Sequence, residues 1–417
     1  MARIPSMNTQ AHAIVIGLDN MTGLQTSRIL ARHGVPVIAI AKDPTHFCCR
    51  TNVCEKILKA NTSGDELLVL LLKLGPQLPQ KAVLFPCTDL SVLTISRNRT
   101  QLSQWYHIML AEPNVIETLM DKVKFYTFAA ERGLPIPRTF FLRSRADAEQ
   151  AAREIPYPCI LKPPIKTPTW ERNSKSKAFK IENAQELLDI YDSHAAFADL
   201  LMVQEWVDGT DADLFTCNGY WDADSKPLAA FVSKKIRQWP PETGTGCIAI
   251  EYRNDEVLHE TLRLFAEVKY RGLGYVEMKR DSRTGKHYII EPNIGRPTGR
   301  SAISEAGGVE LIYTMYCDVL GLPLPPNREQ RYTGVKWIDL RRDAQSAFYY
   351  WRRGELPLGD WLRSWRGRKA HAIFDWRDPK PFIGDITRAI SLSWGAVKRK
   401  LLRRLGLPTT AKTATQR

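Results

Sequence analysis

Two carboxylates and an amide lie close together in residues 272–300, in a stretch with the composition of two strands and a turn. The strand-like runs alternate as half-buried strands do, and Asp, Ser, Thr and Gly fill residues 281–285 between them. An antiparallel hairpin can place Glu277 beside Glu291, with Asn293 two residues further on. Like charges so close repel unless a cation separates them. Carboxylate and amide oxygens suit Mg²⁺, which completes its shell with water and substrate phosphate, so the hairpin predicts a nucleotide metal site. The alternative is a solvent-facing hairpin with two surface acids.

Cationic side chains occur on both sides of this hairpin. Lys235 and Arg237 are two residues apart in a strand-like run, which predicts that they share a face. Arg296 and Arg300 follow the hairpin, and the guanidinium fork suits a carboxylate or a phosphoryl group. These four residues are the candidate catalytic cations, and the alternative for the first two is the solvated face of an edge strand.

A lysine ends the short apolar strand predicted before Pro163. Burying an unpaired ammonium is costly, so Lys162 at this position indicates a nearby anion. The alternative is a lysine whose charged end reaches solvent along the strand.

The order of these motifs resembles the ATP-grasp superfamily of carboxylate–amine and carboxylate–thiol ligases. Glu277, Glu291, Asn293 and Arg296 resemble its E…ExN…R signature. Upstream, the run DKxxFxxxAxxxGLPIP that starts at Asp121 resembles the entry to the fold, and QExVxG in residues 204–209 resembles the hinge between its lobes. The resemblance covers about residues 11–325.

The resemblance implies ATP and Mg²⁺ as cofactors, with two ions on Glu277, Glu291 and Asn293 and with Mn²⁺ as an alternative metal. It implies that Lys122 and Lys162 contact the nucleotide phosphates, although Lys122 could instead be a solvated helix residue. It further implies a hinge that binds the adenine, formed by Gln204, Glu205, Trp206 and Val207. An acid that binds the ribose hydroxyls is also implied, either Asp211 or Asp213.

One departure from the family pattern concerns the loop that covers the phosphates. Members of the superfamily share a glycine-rich loop at this position, whereas residues 165–180 of this chain contain no glycine. The run Ser174-Lys175-Ser176-Lys177 could supply hydroxyls and cations to phosphate instead, or could be a solvated basic loop.

The fold class expected from these patterns is α/β. A strand–helix–strand pattern opens the chain, and residues 1–115 resemble the small, doubly wound pre-ATP-grasp domain that helps hold the acid or amine. The loop between Gly17 and Gly23 is not GxGxxG and no acid ends the second strand, which disfavours NAD. Residues 116–325 are the expected two-lobed ATP-grasp fold, and residues 326–417 a basic, Trp-rich extension.

Charge is concentrated in that extension. The chain of 417 residues carries a net charge of +14, and from Arg331 onward 20 Lys and Arg stand against 7 Asp and Glu, a balance of +13. Six of the 11 Trp residues also lie there. Residues 385–405 have an amphipathic pattern, its apolar side being Ile386, Ile390, Trp394, Val397 and Leu401. This pattern suits an anionic membrane surface, a helix packed on its own domain or, less well, nucleic acid.

The function expected from the resemblance is an ATP-dependent ligase that joins a carboxylate to an amine through an acylphosphate. Small-molecule acid and amine substrates are expected, nucleic acid is disfavoured and a homodimer is left open. No signal-peptide core is evident, and the scattered cysteines suit a reducing compartment, so a cytoplasmic location is expected, with the extension at the inner membrane face as an option. The alternatives are kinase-like phosphorylation of a small acid and a non-catalytic ATP-binding scaffold.

Overall fold

The computed structural model describes residues 10–404 apart from residues 166, 175, 177 and 242–243, and the side chains of residues 392–393 and 395–404 are also outside the described part. The chain begins with a parallel five-stranded sheet in the order β3-β2-β1-β4-β5. Its strands are β1 (Ala13–Ile16), β2 (Val37–Ala41), β3 (Lys56–Lys59), β4 (Ala82–Pro86) and β5 (Tyr106–His107). Its helices are α1 (Met21–Arg32), α2 (Gly64–Leu74), α3 (Asp89–Arg97), α4 (Arg99–Leu102) and α5 (Pro113–Met120), with 3₁₀ turns at Phe47–Arg50 and Gly75–Gln77.

The loop from β1 into α1 is held by a close approach of strand and helix. Asn20 caps α1 by accepting a hydrogen bond of 2.9 Å from the backbone N–H of Gly23. A Cβ at Gly23 would lie 2.1 Å from the carbonyl oxygen of Gly17, so only glycine fits. Gly23 therefore allows α1 to pack closely against the end of β1.

A second, smaller sheet follows helix α6 (Lys122–Glu131). It is antiparallel, in the order β6-β9-β7-β8, with a core of its own against three helices. Its strands are β6 (Thr139–Leu142), β7 (Cys159–Lys162), β8 (Phe179–Ile181) and β9 (Leu201–Glu205). Helices α7 (Arg145–Glu154), α8 (Pro168–Asn173) and α9 (Ala184–His194) and the 3₁₀ turns Ala195–Phe197 and Asp211–Asp213 complete this part.

The largest sheet has seven strands in the order β14-β13-β10-β11-β12-β15-β16. Its strands are β10 (Leu214–Trp221), β11 (Pro227–Trp239), β12 (Thr245–Glu251), β13 (Gly272–Arg280), β14 (His287–Ile294), β15 (Lys336–Ile338) and β16 (Lys369–His371). Helices α10 (Asp255–Glu267), α11 (Ala302–Ala306) and α12 (Leu311–Val319) accompany it. Two extended hydrophobic clusters join this sheet to the N-terminal one, so the two sheets pack as one body.

The C-terminal residues do not form the separate extension expected from the sequence. Strands β15 and β16 join the edge of the large sheet, and helices α13 (Leu340–Arg352), α14 (Leu358–Ser364) and α15 (Lys380–Arg404) follow. A boundary at residue 325 therefore cuts through this sheet. The two strands have only three residues each, which is too short for the period-2 pattern of a strand to be recognised.

Helix α15 is anchored at its beginning. Asp385 is 2% exposed and accepts hydrogen bonds of 3.1 and 2.9 Å from the Nε of Arg341. Gly384 lies against Phe47 and Arg50 of the N-terminal sheet's connection. Further along, Ile390 and Trp394 are 53% and 72% exposed, whereas Val397 and Leu401 lie outside the described side chains. The first turns of α15 are thus a packed part of the molecule. The helices of the described part are all too short or too polar to cross a bilayer.

Candidate active site

The β13–β14 hairpin brings the two carboxylates together. Glu277 pairs directly with Glu291, and Tyr275, two residues away on the same strand face, pairs with Asn293. The turn is stabilised by Asp281, whose Oδ1 accepts hydrogen bonds of 2.8 and 2.9 Å from two backbone N–H groups of the turn. The pairing of Glu277 with Glu291 depends on a register shift next to Glu277, because Met278 pairs with Ile289 and Ile290 is left as an extra residue.

Glu277 is held between two cations. Its Oε2 lies 3.3 Å from the Nζ of Lys235, and its Oε1 accepts a hydrogen bond of 3.2 Å from Arg300. Arg300 also donates to the Oγ1 of Thr216 at 3.1 Å, on the neighbouring strand β10. Burial alone would raise the pKa of Glu277, but Lys235 and Arg300 outweigh it and lower that pKa to about 2. Glu277 is thus a fixed negative charge.

Glu291 is in a different electrostatic environment. Desolvation by the surrounding protein and repulsion from Glu277 raise its pKa, and the charge of Lys122 opposes this only in part. No ion pair within the described part of the chain involves Glu291. A carboxylate beside another carboxylate without its own cation is the electrostatic condition that a bound divalent cation would relieve.

Arg296 connects the hairpin to the N-terminal sheet. Its Nε donates to the Oδ1 of Asp89 at 2.5 Å, at the start of α3, and its other nitrogens donate to the hydroxyl of Tyr275 and the amide oxygen of Asn293. The distances to the last two are 2.9 and 2.7 Å. The side chain is 14% exposed, so its fork is oriented by three protein groups.

These side chains line one cavity of about 550 Å³. The N-terminal sheet contributes Asn20 and Asp89, and the C-terminal segment contributes Trp337 and Arg342. These four residues were not predicted from the sequence as site residues. Asn20 and Asp89 follow β1 and β4, between which the strand order reverses, and the crevice at such a point is a common ligand site. That signal was available from the sequence. No such sequence signal pointed to Trp337 and Arg342, because the pairing of β15 was not predictable.

The hinge residues lie at the end of β9 in the smaller sheet. Gln204 is 4% exposed, its Oε1 lies 3.5 Å from the Nζ of Lys162, and its Nε2 donates to Thr139 at 2.9 Å. Strands β7 and β9 are direct neighbours, which explains why Lys162 and Gln204 meet.

The next residues of the hinge also form defined contacts. The backbone N–H of Glu205 donates to Arg138 at 2.8 Å and that of Trp206 to Pro158 at 3.1 Å, while Val207 is 6% exposed. The Nζ atoms of Lys180 and Lys279 lie 5.4 and 5.5 Å from the centroid of the Trp206 ring. Trp206 is thus placed between two cations.

The structure does not bring Arg237 into the cavity. Its Nε and Nη2 donate to the Oδ1 of Asp343 at 2.9 and 2.7 Å, and it is 6% exposed. The pairing of β11 with β12 shifts register on both sides of Arg237, so the simple two-residue alternation that grouped it with Lys235 fails there.

The two acids expected at the ribose are engaged by the protein. Asp211 is 7% exposed and accepts hydrogen bonds of 2.8 Å from the side chains of Gln238 and Tyr350. Asp213 caps its own 3₁₀ turn by accepting from the backbone N–H and hydroxyl of Thr210 at 2.9 and 3.0 Å. Both acids therefore have structural partners that the local sequence only partly indicates.

The glycine-free loop uses its hydroxyls internally. Ser174 donates to the carbonyl of Ser176 at 3.0 Å, and Ser176 donates to that of Ala178 at 2.6 Å. Lys175 and Lys177, the two cations expected to face phosphate, lie outside the described residues.

The metal-binding capacity of the site rests on the hairpin alone. The described residues contain no group of three or more His, Cys, Asp or Glu side chains suited to a metal ion. Two carboxylates and the amide of Asn293 are nevertheless the kind of partial set that Mg²⁺ combines with water and phosphate. The uncompensated charge at Glu291 fits such an ion, and the Arg296 hydrogen bond to the Asn293 oxygen leaves this amide as the weakest of the three ligands.

Comparisons with known proteins agree with this architecture. No family model matches the chain. A D-aspartate ligase of Enterococcus faecium is 26% identical over 234 residues, which cover 54% of this chain and 55% of that protein. The chain thus spans about half the length of the curated relatives it matches.

Solved structures match over a larger share of the chain. N5-carboxyaminoimidazole synthetase from Staphylococcus aureus has a TM-score of 0.60 at 14% identity and covers 78% of this chain and 80% of its own. The biotin carboxylase domain of Hydrogenobacter thermophilus 2-oxoglutarate carboxylase, in complex with MgADP and bicarbonate, has a TM-score of 0.57 at 15% identity and covers 78% and 72%. The chain therefore has the ATP-grasp fold, and the resemblance to ATP-grasp carboxylate–amine ligases is confirmed.

Proposed function

We propose that this protein is an ATP-dependent ligase that joins a carboxylate to an amine through an acylphosphate. The observation that carries the proposal is the cavity in which Glu277 and Glu291 lie side by side, with Lys235, Arg296 and Arg300 around them. In such a reaction the substrate carboxylate attacks the γ-phosphate of ATP, ADP leaves, and an amine then displaces phosphate from the acylphosphate to form an amide.

The metal ion would be held by Glu277, Glu291 and Asn293. When bound, Mg²⁺ supplies charge neutralisation at the phosphoryl group in transfer, and a second ion or Mn²⁺ is compatible with the same oxygens. A structure of a fold relative in complex with MgADP supports the choice of ion.

The chain's own residues bind, orient and shield the reacting groups. Lys235 and Arg300 fix the carboxylate of Glu277 and place two positive charges at the cavity wall, where developing negative charge is stabilised without reorganisation. Lys122 and Lys162 add positive charge at the nucleotide phosphates, and residues 204–207 form the hinge that binds the adenine. Arg237 has no part in this, because Asp343 holds it.

One substrate is an amino acid in this proposal. The support is the name of the relative, a D-aspartate ligase, together with a cavity wall that contains both carboxylates and guanidinium groups. Kinase-like phosphorylation and a non-catalytic scaffold are not favoured, since the relatives are ligases by name and Glu277, Glu291 and Asn293 all line the cavity.

The test is interception of the acylphosphate. Purified full-length protein is incubated with MgATP and single amino acids, and ADP release is measured with and without hydroxylamine. The acid that supports turnover should yield an acyl hydroxamate, because hydroxylamine intercepts an activated acyl group. Turnover with an acid but without hydroxamate, and without positional isotope exchange in ATP, would exclude the acylphosphate.

A second proposal concerns the far end of α15. We infer that the exposed side chains of Ile390 and Trp394, next to the basic residues that follow them in sequence, contact anionic membrane surfaces. Each Lys or Arg near such a surface contributes about 1 kcal/mol, screened within a Debye length. Co-sedimentation with anionic vesicles should fall with salt and with Trp394→Ser, and binding that is equal for neutral vesicles would refute it.

A further inference from the structure

A second cavity, of about 430 Å³, adjoins the candidate active site. The two cavities share Asn20, Met21 and Arg342 in their walls, so they are neighbours at the loop that follows β1. This second cavity lies at the carboxyl ends of the N-terminal sheet and is closed on its far side by α13 and α15. Its volume is that of a site for a small molecule.

The charged residues of the second cavity mostly neutralise each other. Arg341 is paired with Asp385 at 2.9 Å, and the Nε of Arg342 lies 3.5 Å from Asp339. Two opposite charges then remain in the wall, and they are on different elements: Asp19 on the loop after β1, and Arg388 on α15. His46 also lines this cavity, and burial and the charge of Arg388 lower its pKa.

Asp19 and Arg388 are available to a ligand. The Oδ2 of Asp19 accepts hydrogen bonds of 3.1 and 3.0 Å from the backbone N–H groups of Lys42 and Asp43, which orients this carboxylate and leaves its other oxygen without a hydrogen bond in the described part of the chain. Arg388 is exposed, and none of the described residues forms a hydrogen bond or ion pair with it.

A third feature indicates a missing hydrogen-bond donor. Asp339 is 2% exposed, and its Oδ1 caps α13 by accepting from the N–H of Arg342 at 3.1 Å. Its Oδ2 lies 3.5 Å from the Nε of Arg342 but has no hydrogen-bond partner in the described part of the chain. A buried acceptor left without a hydrogen bond costs free energy. A donor that enters this cavity would relieve that cost.

We propose that the second cavity binds the ammonium and α-carboxylate groups of an amino acid whose side chain reacts in the first cavity. The ammonium lies towards Asp19 and Asp339, and the carboxylate lies towards Arg388, whose fork matches it. This inference rests on the proposed function. It assigns to the C-terminal helices a wall of the substrate site, and it names the substrate class as α-amino acids with a reactive carboxylate or amine in the side chain.

A zwitterion fits these observations better than a simple anion. A phosphate or dicarboxylate would meet Arg388 favourably but would be repelled by Asp19. An amine without a carboxylate would leave Arg388 unpaired. Only a ligand with both charges satisfies both walls of the cavity.

The experiment is calorimetric titration of the full-length protein, saturated with MgADP, with L- and D-aspartate, glutamate, lysine, ornithine and alanine. The amino acid that binds most tightly is then compared with its analogues that lack the ammonium or the α-carboxylate. Each analogue should bind about tenfold or more weakly, as expected for loss of a charged hydrogen bond.

Matched variants locate the binding in the second cavity. Asp19→Asn keeps an oxygen for the two backbone hydrogen bonds but removes the charge, and Arg388→Gln removes the guanidinium. Each should weaken amino-acid binding about tenfold or more, whereas the exposed controls Asp65→Asn and Lys380→Gln should change it less than about twofold. Binding of MgATP should be unchanged in all four, and thermal melts confirm that each variant is folded.

Three results would overturn the inference. These are failure of every amino acid of the set to bind, equal binding of the deaminated or decarboxylated analogue, and unchanged affinity in folded Arg388→Gln. The ligase proposal is judged separately by MgATP binding and ADP formation. If ADP forms normally and Arg388→Gln binds the amino acid as tightly as the unmodified protein does, only the zwitterion site is rejected. If the protein does not bind MgATP, both the ligase proposal and the zwitterion site are rejected.

Discussion

Glu291 is the residue on which the proposed chemistry depends most directly. Glu291→Gln removes one of the two carboxylates of the hairpin and should abolish ADP formation at saturating Mg²⁺, because the remaining oxygens cannot balance the metal charge. Coupled spectrophotometric assay of ADP measures this. Glu131→Gln, an exposed change at the end of α6, should behave as the unmodified protein, and appreciable activity in Glu291→Gln would remove the metal assignment.

Lys162 tests the proposed contact with the nucleotide phosphates. Lys162→Ala should weaken ATP binding about 10- to 150-fold, since a hydrogen bond to a charged group contributes roughly 1.5–3 kcal/mol. Amino-acid binding should change less. Calorimetry with ATP measures both effects, with the exposed Lys226→Ala as control. An unchanged ATP affinity would mean that Lys162 serves only Gln204 and the sheet.

Residues of the site differ in how far sequence alone predicts them. Glu277 and Glu291 are connected by one short turn, so turn chemistry predicts the hairpin, but their direct pairing depends on the extra residue Ile290 in β14, which alternation does not encode. Arg237 finds its partner Asp343 106 positions away, and no local pattern encodes that pair. Asp211 likewise accepts a hydrogen bond from Tyr350, 139 positions away. The sequence around Asp211 therefore suggests a ribose ligand, whereas in the structure this carboxylate is engaged by a distant part of the chain.

At the scale of elements, Asp343 connects β11 to α13 and α14. This carboxylate is fully buried and accepts hydrogen bonds from Arg237, from the indole of Trp361 at 2.9 Å and from that of Trp365 at 2.6 Å. Trp361 and Trp365, two of the tryptophans that suggested a membrane-binding extension, therefore bind the C-terminal helices to the large sheet instead.

The stability of this connection can be measured. Arg237→Met should lower the free energy of unfolding by about 3–5 kcal/mol, because it leaves a buried carboxylate without its cation. Arg253→Met breaks an exposed pair with Asp255 and should leave the free energy of unfolding nearly unchanged. Urea denaturation compares the two. Similar small losses in both would mean that the tryptophans satisfy Asp343 without Arg237.

Helices and strands were predictable where periodicity extends over several residues, as in β1, β4 and the hairpin. The pairing of β15 and β16 with the large sheet was not, because three-residue strands have no measurable period and their partners are far away in the chain. The same limit hid Trp337 and Arg342, which reach the cavity only because β15 joins this sheet.

At the scale of the whole molecule, Arg296 and Asp89 join the hairpin to the N-terminal sheet across 207 positions. Asp89→Asn should lower kcat/KM without loss of fold, because Arg296 then lacks the charge that orients it towards Tyr275 and Asn293. Steady-state kinetics of Asp89→Asn, of Arg296→Lys and of the double variant form a cycle. Strictly additive losses would show that the two residues act independently.

The first and last parts of the chain are also joined by a buried ion pair. Arg28 of α1 contacts Asp378 at 2.9 Å, and 350 positions separate them. During synthesis, therefore, the N-terminal sheet emerges with a buried-type arginine that has no partner until almost the entire chain has been made. Contacts of such long range are slow to form, and until residues 336–338 have been made the edge of β12 lacks β15 and is open to pairing with other chains. A message cut short before the codon for Lys336 would thus yield a protein that contains Glu277 and Glu291 but leaves β12 as an open sheet edge and Arg28 without Asp378, a product suited to degradation and not to catalysis.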